Sequence, residues 1–396
     1  MEISEKILKT GKNPKADART QKELLKRSGV DLIEMDIGEP NFTTPDFIIE
    51  EAYHAMKAGF THYTPVEGYL SLRESICEKL KKENNISYLP EEILVSSGAK
   101  QSISNALFAL LNDGDEVLIP IPCWDSYPNM VRLAGGVPVL VELDENNRFE
   151  PVLERFQEQI TDKTKAIILN NPHNPTGRVY SQNLIKKICR LAMDYGLYII
   201  SDEIYEYLLY GGDLVSPAAI DEEVKRHTVT INGLSKSFAM TGWRIGYAAG
   251  PREIISAMKT FQSYTTSNSS SVTQKASEAA VKAGKICAQN MVSEFAERRL
   301  FIMKGLREIG INDFYEPEGA FYIFPDISKY IGCRNKDTVI TNADVFCRFI
   351  LESANVSISS GSLFYAPGHV RISYSNSLEN IDAAMKRIQK ALDSLS

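Results

Sequence analysis

Cysteine is scarce in this chain: six residues in 396, Cys77, Cys123, Cys189, Cys287, Cys333 and Cys347, with no CxxC pair. That spacing excludes a zinc ribbon and a dithiol redox motif, and it predicts reduced thiols in a cytosolic protein. Positive charge is in deficit too. The 44 Lys and Arg against 51 Asp and Glu give a formal net charge of −7, so the chain lacks the basic footprint of a nucleic-acid binder. No uninterrupted apolar run is long enough to span a bilayer, and the opening MEISEKILKT has no apolar signal core. There is no repeat and no low-complexity tract. No GxGxxG stands at a strand–helix turn, which argues against a nicotinamide-binding dehydrogenase.

What is present is an ordinary globular composition, 43% hydrophobic and 24% charged, with enough chain for roughly two to three domains. Residues 1–30 are polar and Lys-rich, with a helical pattern over 20–27. Residues 30–37 read as a strand, 45–58 and 69–83 as helices. From residue 93 short apolar runs alternate with helical stretches: strands at 93–95, 116–120, 138–142, 166–169, 197–200 and 228–231, with helices after 102, to about 133, at 152–160 and at 183–194. This alternation predicts an α/β fold on a mostly parallel sheet, in which ligands sit beyond the carboxyl ends of the strands. Later the order changes. A helix is expected from 274 to about 306, a strand at 318–324, a helix at 341–353, strands at 356–359 and 370–374, and a closing helix at 378–395.

The residues just past the strands carry the candidate chemistry. Lys236 follows the 228–231 run, bracketed by Ser235 and Ser237, with Arg244 eight residues on. Such an amine can form a Schiff base with an aldehyde cofactor while hydroxyls and a guanidinium hold a phosphate; a lone lysine between serines is otherwise a solvated side chain. Gly98, Ala99 and Lys100 open a helix whose free N–H groups favour a phosphate. Trp124, one of two tryptophans, offers a flat face for a ring, or simply packs. Asp202, at an apolar strand end, needs a cationic or hydrogen-bonding partner, such as a protonated pyridine nitrogen or a turn that it caps. Asn174 sits in a rigid Asn-Pro turn and can present its amide to a phenolate or carboxylate. Arg371, inside an apolar strand, calls for an anion, and a bidentate carboxylate fits. Gly38 serves a turn or a close backbone approach to a ligand.

Seven pieces lie in order along most of the chain: DIGEPNF (36–42), YTPVEG (63–68), NPHNPTG (171–177), SDEIY (201–205), LSKSFAMTGWRIG (234–246), PEGAFY (317–322) and VRISY (370–374). Together they closely resemble the fold-type-I, pyridoxal-phosphate-dependent aminotransferases of class I/II, most of all the bacterial and archaeal aspartate aminotransferases. The resemblance implies a large cofactor domain at 46–289 on a sheet of the seven-stranded type flanked by helices. The changed order of elements after the long helix places a smaller α+β domain at about 290–396, completed by the N-terminal segment 1–45.

The resemblance also implies a pyridoxal 5'-phosphate cofactor joined to Lys236, with Asp202 against the ring nitrogen. Tyr205 and Asn174 then hold the ring oxygen, and Trp124 stacks on the ring. Gly98, Ala99, Lys100, Ser235 and Arg244 form the phosphate cradle, with Tyr63 reaching in from a second subunit of a homodimer. Arg371 clamps the substrate carboxylate beside Gly38, Trp124 and Asn174. The implied catalytic set is Lys236, Asp202 and Tyr205, with no metal, and nearby positive charge is expected to lower the basicity of Lys236. The implied activity is a cytoplasmic, ping-pong transfer of an amino group from an L-amino acid, aspartate foremost, to 2-oxoglutarate. Aromatic, alanine or kynurenine-type donors are the alternative. Two local departures stand out: Ala99 offers only backbone to a phosphate, and the serine-rich 268–271 segment lacks a proline common in the family. For a distal substrate carboxylate, Lys15 is the one candidate cation named.

Overall fold

The computed structural model describes residues 3–10, 14–145, 147–336 and 338–396, with backbone alone for residues 6, 9, 14–19 and 21. Its strands, in chain order, are β1 (Ile33–Glu34), β2 (Ile93–Ser96), β3 (Glu116–Ile121), β4 (Val137–Glu142), β5 (Thr164–Asn170), β6 (Tyr198–Asp202), β7 (Thr228–Gly233) and β8 (Gly246–Ala249). There follow β9 (Tyr322–Ile323), β10 (Arg334–Asn335), β11 (Thr338–Val339), β12 (Val356–Ser357), β13 (Ser359–Ser360) and β14 (Val370–Ser373). The helices are α1 (Glu5–Lys9), α2 (Pro14–Arg27), α3 (Asp46–Lys57), α4 (Leu70–Asn84), α5 (Ala99–Leu110), α6 (Ser126–Leu133) and α7 (Leu153–Gln159). They continue as α8 (Gln182–Asp194), α9 (Glu222–Arg226), α10 (Arg252–Thr265), α11 (Ser271–Glu308), α12 (Ala343–Ala354) and α13 (Leu378–Leu392).

Seven strands form one sheet in the order β2-β8-β7-β6-β5-β3-β4, and only β8 runs against its neighbours. Side chains alternate across the sheet, so both faces need cover. Ala166 and Ile168 of β5 pack with Ile103, Leu107, Val131 and Met258 from α5, α6 and α10. Ile167 and Leu169 face the other way, onto Phe156, Leu184 and Ile188 from α7 and α8. Ends are set locally: the Ser181 hydroxyl accepts from the Leu184 N–H to start α8, and the side-chain Oδ1 of Asn342 does the same for α12 with Val345.

The C-terminal elements build a second core. Phe295, Phe321, Phe346 and Ile381 are buried together with Ile33 and Met35 from the N-terminal segment. β1 pairs in parallel with β12, and β14 lies between β13 and β9.

Three expectations change in detail. Residues 318–324 do not run as one strand. The N–H groups of Glu318 and Gly319 bond to Gly177 O at 2.8 and 2.9 Å, and that of Ala320 to Leu208 O at 2.9 Å, so only Tyr322–Ile323 is left to pair with β14. Residues 356–359 break at Ile358, because Val356–Ser357 pair with β1 while Ser359–Ser360 pair with β14. The 30–37 strand shortens to Ile33–Glu34, which frees Asp36 and Gly38 as loop backbone.

Candidate active site

A cavity of about 770 Å³ opens at the carboxyl ends of the parallel strands, against the second core. It is where a sheet of this kind offers a site, since each strand hands its chain to a loop there. Gly38, Ala99, Lys100, Trp124, Asn174, Asp202, Tyr205, Ser235, Lys236, Arg244 and Arg371 all line it. Tyr63 does not: its side chain stands 92% exposed on this subunit.

Lys236 sits three residues past β7, and its Nζ donates to Gly38 O at 2.6 Å. Burial lowers its pKa to about 8, opposed by Glu39 and reinforced by Arg371. Burial is thus the larger cause, and the nearby positive charge expected from the sequence is secondary. The two serines beside the lysine part company. Ser235 lines the cavity, whereas the buried Ser237 hydroxyl faces a small void by Lys79 and Glu206.

Asp202, at the end of β6, is buried, and its pKa is raised to about 6 by that burial. Its Oδ2 accepts from the Tyr127 hydroxyl at 2.6 Å and its Oδ1 from the Ile204 N–H at 3.2 Å. A buried carboxylate with spare lone pairs suits a cationic ligand atom. Tyr205 hydroxyl meets the Tyr322 hydroxyl at 2.9 Å.

At the cavity edge, the first turn of α5 has backbone N–H groups without partners inside the helix. Gly98 precedes it at φ 92°, and a Cβ there would lie 2.6 Å from Arg244 Nη2. Only glycine lets that guanidinium close on the helix start. Arg244 is tied by Nη1 to Thr241 O at 2.9 Å. A helix terminus and an arginine converging this way make a seat for a phosphate-like anion.

On the opposite wall Arg371 lies between the rings of Tyr322 and Phe364, 4.3 and 4.8 Å from their centroids. Nη1 donates to Asn174 Oδ1 at 3.1 Å and Nη2 to Asp36 O at 2.8 Å. Its buried Nε has no partner among the described residues. Lys22 of α2 binds the Asp36 carboxylate at 2.7 and 2.9 Å, which docks that helix over the cavity mouth. Lys100 sends its ammonium over the Trp124 ring, 4.7 Å from the centroid. Lys15 has no side chain among the described residues.

Tyr127, Tyr322 and Asp36 had no assigned role in the sequence. The first two act across 75 and 117 residues of chain, a separation that carries no local periodicity. PEGAFY and DIGEPNF contain Tyr322 and Asp36 but gave neither a role.

The geometry agrees with what the chain is similar to. The family model "Aminotransferase class I and II" matches residues 30–388. A probable aspartate/prephenate aminotransferase from Aquifex aeolicus is 44% identical over 374 residues, covering 94% of this chain and 93% of its own. The crystal structure of the aspartate aminotransferase from Rhizobium meliloti superposes with a TM-score of 0.96 at 36% identity, over all of both chains. The aromatic aminotransferase from Pyrococcus horikoshii does so with 0.86 at 40% identity, over 92% of this chain and 96% of that one. The chain therefore belongs to the class I and II aminotransferases.

Proposed function

We propose that this aminotransferase uses pyridoxal 5'-phosphate bound at Lys236, with aspartate as preferred amino donor and 2-oxoglutarate as acceptor. The observation that carries the reading is the convergence of Lys236 and Asp202 on one cavity, between the Gly98–Arg244 seat and the Arg371 clamp. The residues present fit the cofactor. Gly98 leaves room for a phosphate beside Arg244, Asp202 is a buried acid suited to a pyridinium, and Arg371 keeps a buried N–H for a carboxylate. When bound, the cofactor supplies an electron sink for the carbanion formed at the substrate Cα.

The chain's own residues do the rest. Asp202 would hold the ring nitrogen in its protonated form. Asn174 and Tyr205 would supply N–H and O–H groups to the ring oxygen, and Trp124 would cover the ring face. Arg371 orients the amino acid by its carboxylate, next to Gly38. With its pKa lowered to about 8, the Lys236 amine would be free in part near neutral pH and would take up the proton released at the substrate Cα. Ala99, Lys100 and Ser235 complete the phosphate seat.

For a second carboxylate the cavity wall offers Lys100. Lys22 and Lys26 are already paired with Asp36 and Glu34, and Arg244 faces the phosphate seat. We assign Lys100 the distal carboxylate through its ammonium, and the phosphate through its backbone. The Pyrococcus relative favours a second reading, an aromatic donor; the Aquifex name, which joins prephenate to aspartate, adds a ring-bearing acceptor.

Tyr63 is exposed, and Ile49, Tyr53 and Met56 form an exposed apolar stripe along α3. A homodimer in which Tyr63 completes the neighbour's phosphate seat accounts for both. All six cysteines are free thiols, in keeping with a cytoplasmic protein, and no helix among the described residues is long and apolar enough to cross a membrane.

The test is borohydride reduction of the loaded enzyme followed by peptide mapping, with label expected at Lys236. Recovery of an unmodified 236 peptide from fully loaded enzyme sinks the reading. A donor panel at saturating 2-oxoglutarate then separates the substrates. Lys100→Ala is expected to raise KM for aspartate about tenfold or more while changing that for phenylalanine about twofold or less, the difference between losing a charged hydrogen bond and keeping it. Equal effects on both donors would remove Lys100 from this role.

A further inference from the structure

Among the described residues, Tyr127 is the one side chain that hydrogen-bonds the Asp202 carboxylate. It stands at the start of α6, just past β3, and only 2% of its surface is exposed. Its ring packs in the apolar cluster that holds Ile168 and Ile200 and meets Trp124 edge-on, 5.3 Å between centroids at 88°. The position is set locally, since the Tyr127 N–H returns to Trp124 O at 3.1 Å. The hydroxyl therefore has one direction to point, and it donates its single hydrogen to Asp202 Oδ2 at 2.6 Å. Resting on the cofactor reading above, we propose that Tyr127 is a positioning residue, which keeps Asp202 ionised and aimed and so governs how fully the cofactor's ring nitrogen holds its proton.

The physical case is one of balance between two bases. Burial makes Asp202 more basic, and the bond from Tyr127 is the foremost influence that opposes it, ahead of the Ile204 N–H and the Lys236 ammonium. A short hydrogen bond to a buried carboxylate stabilises the charged form strongly. Without it, the proton shared between Asp202 and the ring nitrogen moves toward the carboxylate. The ring then carries less positive charge and draws fewer electrons from the nitrogen bonded to Lys236, which keeps its own proton to higher pH. The other titratable groups that face this pair are Tyr205 and Lys236 beside Asp202, Cys123 beside Tyr127, and Glu39, Arg371 and Arg244 around Lys236. A Tyr127→Phe change leaves every one of them in place and keeps the ring that fills the cluster.

Absorbance of the pyridoxal-phosphate-loaded holoenzyme is titrated against pH for the wild type, for Tyr127→Phe and for Tyr180→Phe. Tyr180 is a second buried tyrosine, outside the cavity lining, with its N–H bonded to Asn171 Oδ1 at 2.9 Å. For Tyr127→Phe the midpoint is expected to rise by on the order of one pH unit, the size set by losing a hydrogen bond to a charged group. Cofactor affinity of the apoenzyme is expected to drop about tenfold, and kcat to fall while KM for the amino acid holds within about twofold. For Tyr180→Phe the midpoint is expected to match the wild type. A Tyr127→Phe midpoint equal to the wild type, or an equal shift in both variants, overturns the proposal. A wild-type protein that takes up no cofactor, or whose absorbance ignores pH, overturns the cofactor reading instead.

Discussion

On a single side chain, Lys236, two opposed demands meet. The amine must be uncharged to attack an aldehyde or take a proton, yet it sits among Glu39 and Asp202, which favour its charged form. Removal from water decides the contest and lowers its pKa to about 8. The sign follows directly. A lysine at its ordinary value of 10.5 stays charged throughout the neutral range, whereas here the free amine grows as pH rises through about 8. The rate at which cofactor-free protein captures pyridoxal phosphate is therefore expected to climb over roughly a unit either side of that value and level off above it. A capture rate flat in pH up to 10 would contradict the lowered value. Lys236, Asp202 and Asn174 were legible, since each stands at or just past the end of an apolar strand. Those that hold them in place, such as Tyr127 and Tyr322, were not, because a tyrosine in a helix start or a short strand reads as packing.

Elements explain the steric limits of the site. Helix α11 was expected as one continuous run from 274 to about 306, and it extends over Ser271–Glu308 with a break at Gly284, φ 62° and ψ −160°. There the Glu83 carboxylate accepts from the Lys285 N–H at 3.3 Å, taking the place of a helical partner. A Cβ on Gly284 would lie 2.6 Å from Glu83 Oε1 and would force a backbone region reserved for glycine. Gly284→Ala is expected to cost about 1–3 kcal/mol, read as a lower denaturant midpoint with unchanged slope. Stability equal to the wild type would mean that the break is not needed. The same helix links the two cores, with Ala276 and Ala280 buried beside β2 and β8 and Phe295 and Ile302 beside β9 and β14. Periodicity signalled its length. The break was hidden, because one glycine among helix formers is tolerated in a helix at a cost of only about 1 kcal/mol.

For the whole molecule, the exposed Tyr63 is the informative residue. Its loop YTPVEG was marked by resemblance, but nothing within one subunit gives the side chain a partner in the cavity. Mixed dimers test whether a neighbour does. A Lys236→Ala subunit paired with a Tyr63→Ala subunit has one site with the lysine of one chain and the tyrosine of the other. If Tyr63 crosses over, that heterodimer is expected to bind one cofactor with wild-type affinity, while Tyr63→Ala homodimers bind about tenfold or more weakly, the loss typical of a hydrogen bond to a charged phosphate. Heterodimers no tighter than Tyr63→Ala homodimers would leave Tyr63 outside the site.

By itself the sequence determined the alternation of strand and helix, the placing of Lys236, Asp202 and Asn174 after strand ends, and the family. Each of these follows from short-range patterning or from motifs a few residues long. Tertiary structure alone decided that Asp36, Asn174 and Arg371 share one hydrogen-bonded corner, that Ser235 faces the cavity while Ser237 turns away, and that Tyr127 reaches Asp202. Those relations depend on how the second core docks against the sheet, and on side-chain directions fixed by packing across hundreds of residues. Local periodicity says which face a residue takes; it does not say what stands opposite.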